Sequence, residues 1–220
     1  MALSDAQIDR YSRQIILPEV GGAGQQRLLA AAWTIIGNGA LAATAARYLA
    51  GAGIGALTLV GGDAEALAHE LALLNPDVAV AIAPAPAAEP GRSGGSPRRI
   101  AADLGPAALD ALARAYPCDV LIAAGTTAVG GWLHVAAETR GCAGCAMRTA
   151  AAIQFAGPAT PSPIAAGVLG AVVALEAIKH SLGLASIDGD AWSSFDASAV
   201  QLESHRLSRA ADCGACAPIA

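Results

Sequence analysis

Large aromatic side chains are scarce in this chain. Two Phe, three Tyr and three Trp amount to 4% of 220 residues, so the core cannot be built on stacked rings and must rest on Ala, Leu, Val and Ile. Charge is sparse as well: Asp, Glu, Lys and Arg total 14%, with a net charge of −5. That balance offers no attraction to nucleic acid or to an anionic membrane surface, and neither is expected as a partner. The N-terminus MALSDAQIDRYSRQ lacks the apolar stretch of a secretory signal, so a cytoplasmic protein is expected. No apolar run reaches the roughly 20 residues of a bilayer span. The nearest, Pro163 to Leu184, is interrupted by Glu176 and Lys179 and suits a tightly packed core or interface helix.

With 55% hydrophobic residues, the chain can bury a sizeable core as one domain over residues 1–220. Ser4 caps a first short helix running to Arg13, and QQRLLAA is a second, giving short helices over 4–32. AWTIIG is a buried strand, GNGALA a turn, ATAARYLAGAG a helix and ALTLV a strand, which together form a βαβ unit. AEALAHELALLNP then predicts a helix and DVAVAIA a third strand. PAPAAEPGRSGGSPRR is expected to be an exposed loop, followed by the helix GPAALDALARAY and the strand CDVLIAAG. This core covers 33–125. In the remainder, 131–220, WLHVAA could be strand or helix, with strand favoured, and DAWSSFDASAVQLESHRL alternates as a hairpin turning near Asp196. The expected fold class is therefore α/β: a Rossmann-like, doubly wound, mostly parallel sheet with a C-terminal antiparallel hairpin and, from the cysteine pairs Cys142/Cys145 and Cys213/Cys216, a zinc-bound tail.

Gly37, Gly39, Ala40, Leu41 and Ala42 fall in a G-x-G-x-x-A turn between a strand and a helix, where backbone N–H groups can cradle a phosphate. An acid normally closes the second strand and takes the ribose hydroxyls. Here that strand ends Gly61-Gly62, and Asp63 stands two residues late. Cys142-Ala-Gly-Cys145 and Cys213-Gly-Ala-Cys216 are two C-x-x-C turns roughly 70 residues apart, the pattern of a closed, structural four-cysteine zinc site that pins the tail to the body. A thioredoxin-like redox pair and disulfides are the alternatives. Cys118, at the start of an apolar strand, reads as a buried thiol.

Taken together, RYSRQIILPE (Arg10 to Glu19), Gly24-Gln25, the glycine turn, YLAGAGIGALTLV, Leu74-Asn75-Pro76, AGVLGAVVALEAIK, Phe195-Asp196 and both cysteine turns resemble the ThiF/MoeB/HesA family of ubiquitin-activating-type adenylyltransferases. The resemblance implies an enzyme that uses ATP and magnesium to adenylate the C-terminal glycine of a ubiquitin-like sulfur carrier. It also implies a homodimer, or a heterodimer with a homologous adenylyltransferase, in which Arg13 reaches into the neighbour's ATP site. The chain departs from the family where the charges belong. The D-x-D that ends strand two is Gly61-Gly62-Asp63, the segment carrying S-N-L-x-R-Q and a later lysine is deleted, and D-x-x-D-N is replaced by Ala123-Ala124-Gly125-Thr126-Thr127. Several groups that stabilise phosphoryl chemistry are thus missing together. The expectation is an adenylation-deficient accessory subunit. Two other readings stand beside it: an active enzyme with a rearranged site using Asp63, Asp77, Asp119 or the Thr126-Thr127 hydroxyls, and a non-catalytic scaffold.

Overall fold

The computed structural model describes residues 2–85, 97–115, 120–137, 142–152, 162–187 and 189–208. Its first helix, α1 (Asp5–Ile15), opens on a capping box. Ser4 Oγ accepts from the Gln7 N–H, and the Gln7 side chain accepts from the Ser4 N–H. These bonds satisfy donors the helix cannot reach itself. α2 (Gly21–Ala30) follows, then β1 (Ala32–Ile36), α3 (Gly39–Ala52), β2 (Ala56–Val60), α4 (Ala64–Leu74) and β3 (Ala79–Ile82). Next come β4 (Arg98–Ala102), α5 (Pro106–Ala115), β5 (Val120–Thr126), β6 (Gly130–Ala137) and α6 (Ala143–Ala152). The last described elements are α7 (Pro163–Leu182), β7 (Ala191–Asp196) and β8 (Gln201–Arg206).

The strands form one sheet in the order β3-β2-β1-β4-β5-β6-β7-β8. Pairs from β3 through β5 are parallel, and those from β5 through β8 are antiparallel. The expected α/β fold is present, and WLHVAA is indeed strand, as part of β6. The expected hairpin turns at Asp196, whose Oδ1 accepts from the N–H and hydroxyl of Ser198 and from the Ala199 N–H. Those bonds, led by the Ser198 hydroxyl, hold the exposed carboxyl below the usual range. The loop assigned to residues 84–99 needs correction at its end. Arg98 and Arg99 open β4, and Arg99 is 1% exposed. Two arginines disguise a short strand, but pairing of Arg99 with Thr34 and Leu121 places it mid-sheet.

Helices cover both faces. On one, α3, α4 and α7 close over Ile35, Leu57, Leu59, Ile100 and Ile122. On the other, Leu109 and Leu112 of α5 and Ala143, Ala146 and Ala150 of α6 pack against Ala101, Ala123 and Trp192. Each fully buried Leu or Ile contributes about 1.5–3 kcal/mol as an upper estimate, so the aliphatic core compensates for the missing aromatics. The few aromatics present tie layers together: Trp33 Nε1 on β1 donates to Ser181 Oγ on α7 at 3.0 Å. α7 is long and apolar enough by composition to cross a bilayer, and half of that stretch is buried inside the protein against α3 and the sheet.

His134 of β6 is wholly buried, and its Nδ1 lies 2.8 Å from the Ala191 carbonyl oxygen. A carbonyl only accepts, so Nδ1 carries the proton. Burial holds the imidazole below its ordinary pKa, against smaller raising effects from that bond and from Asp190.

Candidate functional site

Strand order reverses between β1 and β4. In open α/β sheets the carboxyl ends of the strands leave a ligand crevice at such a point. Gly37 makes the turn out of β1 with φ 136°, and its N–H donates to the Val60 carbonyl at 3.0 Å. A Cβ there would run into the Ala102 carbonyl, so only glycine lets the chain pass β4. α3 then starts without a side-chain cap. Asn38, the residue placed to cap it, instead turns its amide oxygen onto the Gly62 N–H at 2.5 Å.

That contact explains the end of β2. A Cβ on Gly61 would collide with Asn38 Oδ1 and with the Gly37 carbonyl oxygen. Gly61 is therefore fitted to Asn38 and the Gly37 carbonyl, and the space a side chain at that position would need is taken, whereas Gly62 meets no such obstacle. Asp63 follows as the residue just before α4, also without a capping bond.

Together these elements enclose a cavity of about 330 Å³ between α3 and α4. Gly37, Gly39, Ala40, Ala42 and Asp63 of the expected nucleotide-binding set line it, while Leu41 turns its side chain wholly into the core. Sequence reading missed the charged end of the cavity. There Arg47 of α3 donates from Nε to Glu70 Oε1 at 2.5 Å and from Nη2 to Oε2 at 2.8 Å, a fork-to-fork ion pair. The hydrogen bonds hold the Glu70 carboxyl below its usual range and raise Arg47. Their sequence separation of 23 residues on two helices left no local signal.

At the end of β5, Thr126 donates from its N–H at 2.6 Å and its hydroxyl at 2.8 Å to Asp103 Oδ1. Asp103 stands just past β4 with φ 54°, a left-handed conformation that costs a non-glycine residue free energy. Of the other acids considered for the site, Asp77 is at the wrong edge: it precedes β3 and bonds Arg10 at 3.1 Å and Tyr11 at 3.0 Å. Asp119 lies outside the described residues, as does Cys118.

Arg13 is exposed in the last turn of α1. Its neighbour Gln14 donates to the carbonyl of Ala52, the last residue of α3. At 1.5 Å per residue that end is about 20 Å from the glycine turn, so Arg13 stands clear of its own chain's cleft. Cys142 immediately precedes α6 and Cys145 lies in its first turn, both buried. Two thiols one helical turn apart fit two ligands of a tetrahedral thiolate site. Cys213 and Cys216 lie outside the described residues, and among the described residues no group of three metal ligands occurs.

Residues 11–65, which hold the C-terminal end of α1, the glycine turn and the end of β2, match the ThiF family. This stretch is a ThiF-family segment. The chain is 55% identical over 62 residues to the adenylyltransferase and sulfurtransferase MOCS3 of Bos taurus, which covers 28% of this chain and 14% of that protein. Over 63 residues it is 48% identical to the SAMP-activating enzyme E1 of Haloferax volcanii, covering 29% and 23%. The matches thus span less than a quarter of these relatives' length. The likeness in fold extends much further. E. coli MccB superposes with a TM-score of 0.73 at 16% identity, over 96% of this chain and 73% of that one. Its complex with ATP gives 0.73 at 17% identity, over 97% and 75%.

Proposed function

We propose that this ThiF-type chain does not adenylate a substrate unaided and serves as a partner subunit in activating a small ubiquitin-like sulfur carrier, paired with itself or with an active homologue. The observation that carries the reading is the end of β2. Asn38 and the Gly37 carbonyl occupy the space at Gly61 where a ribose-binding carboxylate would stand, which supports a site without the ribose contact that the resemblance implies. The hydroxyl ending of β5 supports it, since Thr126 offers no charge to a metal–phosphate. The relatives' activities, adenylyltransferase and SAMP activation, support the choice of reaction and of carrier class. ATP–pyrophosphate exchange tests it. The purified chain with a carrier is expected to give none, and adding an active homologue to give exchange that falls when Arg13 becomes Ala. Exchange by the chain alone overturns the reading.

Asp103 favours one second reading, a working enzyme with a rearranged site. Its carboxylate lies beside Thr126 at the crevice, next to the strand end where the resembled family keeps its acid. Exchange by the chain alone that is abolished in Asp103→Asn would establish this reading instead. For zinc, we propose one structural site ligated by Cys142, Cys145, Cys213 and Cys216, whose closed shell of four thiolates leaves no position for chemistry.

A further inference from the structure

The Arg47–Glu70 pair belongs to no role described above, yet it forms one end of the α3–α4 cavity. Between that pair and the glycine turn the lining is hydrocarbon: Ile35, Ala43, Leu59, Ala64 and Leu67. Arg47 is eight residues along α3 from Gly39, or about 12 Å. The cavity is therefore an apolar slot with a guanidinium at one end. Its volume falls at the small end of the range for small-molecule sites.

The pair itself is easily opened. Its side chains are 45% and 48% exposed, and a surface ion pair of this kind adds little stability. Glu70 uses only part of the five-donor guanidinium fork, so Arg47 can turn to another planar acceptor with matched geometry. The second acid of the cavity, Asp63, sits at the opposite end, seven residues or about 10 Å along α4 from Glu70. A ligand with negative charge at both ends, such as a polyphosphate, would meet Asp63. A ligand with one anionic head and an apolar body would not.

We infer that the α3–α4 cavity binds a small monocarboxylate with a hydrocarbon body, its head taken by Arg47 and Glu70 acting as the placeholder that occupies Arg47 when the cavity is empty. The inference goes beyond the partner-subunit reading and holds whether or not the chain pairs with an adenylyltransferase. It fixes the sign of two substitutions. Removing the Glu70 charge removes a competitor for Arg47, whereas a merely structural pair would make the same change loosen the cavity.

Calorimetric titration with octanoate at low ionic strength tests it, with 1-octanol as the uncharged probe and pyrophosphate as the doubly headed one. Wild-type protein is expected to bind octanoate in preference to both. Glu70→Gln should tighten octanoate several-fold, and Arg47→Gln should weaken it about tenfold or more. Octanol binding should respond to neither. Melting curves of both variants confirm that the fold persists. No octanoate binding by wild type at millimolar concentration, an unchanged affinity in Arg47→Gln, or a weaker one in Glu70→Gln overturns the inference. None of these outcomes touches the partner-subunit reading, which stands or falls on pyrophosphate exchange.

Discussion

Asn75 Nδ2 donates both to the Tyr11 hydroxyl at 2.9 Å and to the Ala50 carbonyl at 2.7 Å, joining α1, α3 and the end of α4 at one buried point. Tyr11 donates its own proton to Asp77 Oδ2 at 3.0 Å. Asn75→Ala would remove both Nδ2 bonds and the one its Oδ1 accepts from the Asp77 N–H, at about 2–4 kcal/mol in all. At roughly 2–4 °C per kcal/mol for a chain of this size, calorimetry should show a melting point at least several degrees lower.

The same network sets an alkaline limit. Burial foremost, with the bond to Asp77, pushes the Tyr11 hydroxyl up to about 12. Because the folded value lies above the unfolded one near 10, the stabilisation is complete below about pH 10 and is lost as pH rises toward 12. Denaturant melts across that window should show the loss in wild type and not in Tyr11→Phe.

His134 acts at the other end of the scale. Its folded-state pKa is depressed by burial, so between that value and about 6.5 the unfolded chain binds the extra proton. Stability is therefore full above about pH 6.5 and falls as the solution is acidified below it, by at most about 1.4 kcal/mol per pH unit. In His134→Gln the slope between about pH 5 and 6.5 should flatten, whatever the substitution costs overall.

Restoring an acid to β2 is expected to harm the fold before it helps chemistry. Gly61→Asp should cost about 1–3 kcal/mol by overpacking against Asn38 and the Gly37 carbonyl. Adding Asn38→Ala should recover part of that loss, and a double-mutant cycle measures the coupling. Independent, additive effects would show that the two positions do not compete for space.

Purified protein should carry about one zinc per chain by elemental analysis if the four thiols close one site. Cys145→Ser should lower that content sharply, and chelation should lower the melting temperature of wild type. Metal-free protein with an unaltered melt would remove zinc from the account.

Most of the architecture was readable because the strongly patterned segments obey local rules. Ser4 caps α1, ALTLV is β2 to the residue, and Gly53 ends α3 in the left-handed conformation. β4 was hidden because RRIAA begins with two charges, and its place in the sheet comes from pairing with β1 and β5. α6 was overlooked because its first turn was read only as a cysteine motif. At the site, the glycine turn and the missing strand-two acid were evident, yet the reason Gly61 must be small was not. That reason is the Asn38 side chain reaching across from another turn. Arg47–Glu70 and Asp103–Thr126 are likewise tertiary pairs, each 23 residues apart in sequence, that no short motif encodes.

The placement of α1 at the far end of α3 has a kinetic consequence. An arginine some 20 Å from its own crevice can help only a nucleotide held by another molecule, about 20 Å being the length of α3 itself. Any turnover that needs Arg13 is then second order in protein: it should fade on dilution below the dissociation constant of the pair and return in proportion as the missing subunit is titrated back.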